Sequence, residues 1–133
     1  MAEVLITESA KSDIKDSLSY IKNNLCNSKA ASDLADAIAE EISLLKDNPK
    51  SGPYVKDSFL ANIGFRFLLI KNYKFYYLIK ESEGTQIIYI VRFLHSRMDY
   101  ESILQDEINN LEEIMKTFQG LSFKIWKSLP VHH

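Results

Sequence analysis

Apolar residues recur at helical spacing along the first third of the chain and at strand spacing through the middle, and each change of period marks an element. Ile14, Leu18, Ile21 and Leu25 stand three or four apart, with Lys11, Asp13, Lys15, Asp16 and Lys22 between them. They form one stripe of an amphipathic helix. That helix is expected from Ser9 to about Asn24, behind a short β-prone segment Glu3 to Ile6, with Thr7 as N-cap and Glu8 in the first turn. A second helix is expected from about Lys29 to Lys46, with Leu34, Ile38, Ile42 and Leu45 facing inward and Ala31 and Ala35 allowing close approach. Cys26 ends the first helix, Asn27 and Ser28 serve as turn or cap residues, and the two helices make a hairpin. Asn48-Pro49 stops the second helix, and Lys50 to Ile63, with Gly52-Pro53, reads as a loop.

From Phe65 the period falls to two. Strands are expected at Phe65–Ile70, Tyr73–Ile79 and Gln86–His95, joined by Lys71-Asn72 and by Glu81 to Thr85 with Gly84. Alternation sets Phe65, Phe67 and Leu69 opposite Arg66, Leu68 and Ile70, and on the last strand sets Ile88, Ile90, Arg92 and Leu94 opposite Ile87, Tyr89, Val91, Phe93 and His95. With the N-terminal strand added at an edge, the expected fold is α+β: a helical hairpin packed on a twisted, mostly antiparallel four-stranded sheet. Helical spacing then resumes at Tyr100, Leu104, Ile108, Leu111, Met115 and Phe118, with Gly120 as its end. Such a regular stripe must pack either across its own domain or against a second copy, and pairing in a homodimer is the version favoured here. The tail Leu121 to His133 carries Phe123 and Trp126 as an arm, and His132-His133 have the look of an affinity-tag remnant.

With 133 residues and 46% hydrophobic content the chain builds one ordinary core. No apolar run approaches the roughly 18 residues of a membrane helix, and MAEVLITESAKSD lacks the basic and apolar stretches of a signal peptide, so a cytoplasmic protein is expected. One cysteine excludes an intrachain disulfide and a cysteine-rich zinc site; no phosphate-cradling glycine loop is present, and no cofactor or metal is expected. The net charge of -2 hides an asymmetry. Residues 1–47 hold five Lys or Arg against nine Asp or Glu, and residues 65–100 hold six against three. A locally positive sheet admits a polyanion or an acidic protein as partner.

Candidate chemistry gathers where the last strand ends. His95 is a candidate general acid or base because imidazole titrates nearest neutral pH. Arg92 and Arg97 suit phosphate, which guanidinium meets with paired hydrogen bonds, and Tyr100 suits base stacking or proton donation. Each has a structural alternative: Arg66 and Arg92 as internal ion-pairing residues, Asp99 as a helix N-cap paired with Arg97, and Tyr100 as the start of the apolar stripe.

The order strand, helical hairpin, loop, three-stranded meander, and then Arg92-x-x-His95-x-Arg97-x-Asp99-Tyr100 resembles the RelE/ParE superfamily of toxins from type II toxin-antitoxin modules. Gly64-Phe65-Arg66, Asn72-Tyr73 to Tyr77 and Val91 to Tyr100 carry the likeness. It covers about residues 3–104, so that residues 1–104 are expected as the toxin domain and 105–133 as a C-terminal extension. The resemblance implies a toxin neutralised by a cognate antitoxin, and the function favoured here is that of a metal-independent endoribonuclease on mRNA at the ribosome, the alternative being a non-enzymatic inhibitor of DNA gyrase. For the nuclease it implies His95, Arg97, Tyr100 and Arg92 as catalytic candidates and Arg66, Lys71 and Lys74 as substrate-binding ones. An inactive or adapted protein-binding member is the third reading.

Overall fold

The meander forms because its two connections are the turns that twisted strands accept. The computed structural model describes residues 2–118. β1 (Glu3–Ile6) is followed in sequence by the helices α1 (Glu8–Ser19), α2 (Ser28–Asp47) and α3 (Ser58–Ile63), then by β2 (Arg66–Ile70), β3 (Tyr73–Ser82), β4 (Thr85–His95) and α4 (Tyr100–Phe118). Lys71 (φ 56°) turns β2 into β3, and Glu83 (φ 52°) with Gly84 (φ 81°) turns β3 into β4. Left-handed backbone in a two-residue connection matches the twist of the flanking strands. β3 and β4 therefore run three residues and one residue longer at this turn than the alternation alone indicates. β1 joins β4 in parallel, and the sheet order is β1-β4-β3-β2.

The hairpin is built as the sequence indicates. Thr7 Oγ1 accepts the Ala10 N–H at 3.2 Å and donates to the Val91 carbonyl at 2.9 Å, so one side chain caps α1 and ties it to β4. α1 passes into a π-helical turn, Tyr20–Asn24, and Cys26 (φ 51°) ends it. Asn27 caps α2 by accepting from the Ala30 N–H. Leu34, Ile38 and Leu45 are buried against Ile70, Phe75, Tyr77, Ile88, Ile90 and Phe93. Leu25, expected on the inward stripe, is instead 56% exposed, because the wider π turn rotates it off that face.

Two corrections concern the other face. The segment read as loop contains α3, capped by Asp57 accepting from the Leu60 N–H at 3.0 Å and closed by Gly64 at φ 117°. At six residues it is too short to show a period. α4 is the second surprise: Leu104 and Leu111 are fully buried within this chain, packed with Leu60, Ile63, Phe65, Tyr76, Leu78, Ile87, Tyr89, Val91 and Leu94. Leu104 and Leu111 of the stripe thus pack across their own domain, the alternative to the homodimer favoured from the sequence. The sheet face opposite the hairpin was the apolar surface left to cover, and α4 runs unbroken through Leu104 to cover it. Met115 and Phe118 extend the stripe beyond the described side chains, and the tail Leu121 to His133 lies outside the described residues.

A bulge moves the expected faces of β4. The partner of Tyr76 is Arg92, but that of Tyr77 is Ile90, leaving Val91 as an extra residue. Ile88 and Ile90 consequently share a core with Phe93, whereas Leu94 joins Ile87, Tyr89 and Val91. Among the described residues no helix is long and apolar enough to cross a membrane.

Lys80 makes the fold pH-dependent. Burial lowers its pKa to about 8, below the unfolded value of 10.5. The unfolded chain then holds more protons than the folded one between these values, so stability rises with pH through that window, by on the order of 3 kcal/mol in full. Tyr76, pushed by burial and by Tyr100 up to about 12, opposes this above pH 10. Urea unfolding should therefore show a gain from pH 8 to pH 10 that Lys80→Met abolishes; equal slopes in the two proteins would refute the assignment.

Candidate functional site

Where β4 ends, three elements converge: the β2–β3 turn, the last residues of β4 and the π turn after α1. Tyr73 is the β3 partner of His95, and their rings meet edge to face at 5.3 Å. On its other neighbour Tyr73 stacks against Phe93 at 4.9 Å. His95 Nδ1 accepts the Arg97 N–H at 3.2 Å, which assigns the proton of the neutral ring to Nε2. Two shallow depressions meet here and share Tyr20, Tyr73 and His95. One, of about 310 Å³, is lined also by Ile21, Leu25 and Lys71; the other, of about 380 Å³, by Asp13, Asp16 and Met98. His95 thus separates an apolar hollow with a cationic rim from one with acidic walls. Tyr20 at 53% and Leu25 at 56% exposure leave the first hollow with an open apolar lip.

The remaining candidates are not gathered around that histidine. Arg92 closes a clamp between layers: Nε and Nη2 donate to Asp13 of α1 at 2.6 and 2.8 Å, and Nη1 donates to Glu107 of α4 at 3.1 Å. Asp13 also accepts the Phe93 N–H at 3.0 Å on the side of β4 where β1 has ended. These carboxylates hold the Arg92 pKa above its ordinary value, first through the Asp13 hydrogen bonds. All three donor nitrogens are engaged, so in this arrangement the guanidinium is a structural tie.

Tyr100 sits at the start of α4 with its ring stacked on Tyr76 at 5.2 Å and its hydroxyl accepting the Asp57 N–H at 3.1 Å. It joins the α3 entry to the α4 entry. Asp99 caps α4 by accepting from the Ser102 N–H, at 3.4 Å, and Arg97 is exposed with no side-chain partner among the described residues. Arg66 lies at the far end of β2 from Lys71. It donates to the Gly52 carbonyl at 2.7 Å and lies 4.0 Å over the Tyr54 ring. Lys74 Nζ rests 4.7 Å from the Phe67 ring centroid. The exposed Lys71 alone of these three borders the His95 hollow.

Sequence reasoning missed the partners rather than the candidates. Asp13 and Glu107 stand in sequence as ordinary helix charges, and nothing local marks them as ligands of one arginine. Tyr77 belongs to the core, but its hydroxyl also donates to the Pro49 carbonyl at 2.8 Å and accepts the Gly52 N–H at 3.0 Å, fastening the loop before α3. A Cβ on Gly52 would lie 2.3 Å from the Phe67 carbonyl oxygen, so only glycine fits there. Among the described residues no cluster of three His, Cys, Asp or Glu is placed to hold a metal. His132 and His133 lie outside them.

Comparison with known proteins bears on the same region. The family described as "ParE toxin of type II toxin-antitoxin system, parDE" matches residues 4–100, ending where α4 begins. A solved structure titled "Chromosomal ParDE TA system from P. aeruginosa" superposes with a TM-score of 0.56 at 17% identity, over 71% of this chain and 96% of that one. At that identity the likeness is one of fold. No curated protein matches the chain.

Proposed function

Because the chain belongs to the ParE toxin family of type II toxin-antitoxin systems, we propose that it stops growth by binding a protein target, DNA gyrase, without catalysing a reaction, and that a cognate antitoxin neutralises it. The enclosure of Arg92 between Asp13 and Glu107 carries this choice over mRNA cleavage at the ribosome. A ribonuclease must steady the extra charge of the phosphorane as well as move protons. Here the arginine nearest His95 along β4 is held by two carboxylates, and the Tyr100 hydroxyl is taken up by a backbone amide. A sequence pI near 5.9 also suits a protein target better than an RNA surface. Either target acts in the cytoplasm, and that is where this reading has the chain work.

The test separates a proton-transfer group from a surface group. Removing a general acid or base lowers the rate by about a hundredfold to ten-thousandfold. His95→Ala and Arg97→Ala should instead leave growth arrest within about tenfold of the parent. Purified chain should inhibit supercoiling by gyrase and leave ribosome-bound mRNA uncut. Loss of arrest in both variants together with mRNA cleavage by the parent would reinstate the endoribonuclease, with the half-buried His95 and the exposed Arg97 and Lys71 as its surviving candidates.

A further inference from the structure

The outer edge of β2 combines three properties that are separate elsewhere on the molecule. The first is charge: residues 66–74, which make β2, its turn and the start of β3, contain Arg66, Lys71 and Lys74 and no aspartate or glutamate. The second is exposed apolar surface, with Leu69 60% and Tyr54 54% accessible and the Phe67 ring beneath Lys74. The third is unpaired backbone. The edge is half covered already, since the Phe67 N–H donates to the Pro53 carbonyl at 3.0 Å and the Val55 N–H to the Phe65 carbonyl at 3.1 Å. The chain leaves the edge there. By alternation the N–H and carbonyl of Leu69 point the same way as those of Phe67, and they have no partner among the described residues.

We propose that this strip of β2, from Phe67 to Lys71, docks an acidic segment with alternating apolar residues, laid along it in extended conformation as a further strand. Main-chain bonds to Leu69 supply the register, alternate apolar side chains rest on Leu69 and Phe67, and carboxylates meet Lys71 and Lys74. An acidic chain is the occupant favoured by charge, because the strip and its turn, residues 66–74, carry three cations and no carboxylate. Assigning that segment to the antitoxin deepens the function proposed above and rests on it. Lysines of the β2–β3 hairpin, rather than the enclosed Arg92, meet its carboxylates in this arrangement.

Two titrations separate the surface from its owner. In the first, the full chain is titrated with a short synthetic peptide alternating glutamate and valine. Binding should be saturable, should weaken by about tenfold or more in Lys71→Glu/Lys74→Glu, and should be unchanged in Lys15→Glu on α1. Leu69→Pro removes only an outward-facing N–H, which an edge strand tolerates, and should weaken binding comparably. Slowed hydrogen exchange at the Leu69 amide in the wild-type complex gives the same answer without a mutation. Absence of binding, or equal binding by the double variant, overturns the proposal. In the second, the chain is co-expressed with the product of the adjacent reading frame. Equal co-purification of parent and double variant overturns the assignment of the strip to the antitoxin but leaves the antitoxin reading of the function intact. Peptide binding at β2 without co-purification supports the strip and removes the antitoxin as its owner.

Discussion

Truncation after Leu104 should give a chain that does not fold, rather than a soluble core freed of an appendage. The cut removes Leu111, which is fully buried, together with Ile108 and the Glu107 carboxylate that meets Arg92. Losing a buried leucine costs about 2–5 kcal/mol, and stranding a buried charge costs about as much. Domains of this size are held by only about 5–15 kcal/mol in total. The sum consumes most or all of that. Circular dichroism should show loss of the cooperative thermal transition, with Leu111→Ala displaying a smaller part of the same deficit. A truncated chain melting at the parent's temperature would return α4 to the status of an accessory.

The second large effect is expected at Arg92. Arg92→Ala leaves Asp13 and Glu107 facing a cavity without their cation, in a site where the arginine side chain is 20% exposed and the carboxylates 15% and 9%. Breaking a buried ion pair from one side costs about 3–5 kcal/mol, most of it the desolvation of the groups left behind. Replacing all three charges should hurt less. Arg92→Met with Asp13→Leu and Glu107→Leu is expected to be more stable in urea unfolding than Arg92→Ala alone, because no charge remains buried. If the single variant proves the more stable, the clamp does not carry the stability assigned to it. The comparison also bears on activity: growth arrest retained in a folded triple variant would confirm that Arg92 has no role at a phosphate.

How much of this was legible in the chain depends on whether the signal was local. Thr7, Asn27 and the period-four stripe from Leu34 to Leu45 announce their helices because caps and stripes are short-range features. The meander is legible for the same reason, since Lys71-Asn72 and Glu83-Gly84 sit between alternating runs. Two things were not. α3 is capped by Asp57 and ended by Gly64, both visible, yet its six residues carry too few apolar positions to set a period. The bulge at Val91 leaves no trace in β4 alone; it exists only in the pairing with Tyr76 and Tyr77, and it reassigns Phe93 and Leu94 to opposite cores. Site residues followed the same rule. His95, Arg97 and Tyr100 were adjacent in sequence, and their types suggested one chemistry. Asp13 and Asp57 decide otherwise for Arg92 and Tyr100, and those partners stand 79 and 43 residues away.

The pairing of β1 with β4 sets a timetable for synthesis. Thr7 bonds to Val91 across 84 residues, and among the described residues β1 has no other strand beside it. Closing so long a loop is slow and must await β4, whereas the β2–β3–β4 hairpins need only near neighbours. α4 comes later still, and the clamp on Arg92 requires Glu107 from within it. A growing chain therefore offers its β2 edge before its first strand, its hairpin layer and its last helix are locked together. A partner that docks at that edge, as proposed above, would meet the nascent protein while it is still incomplete, and the finished toxin forms only after almost its whole described length has left the ribosome.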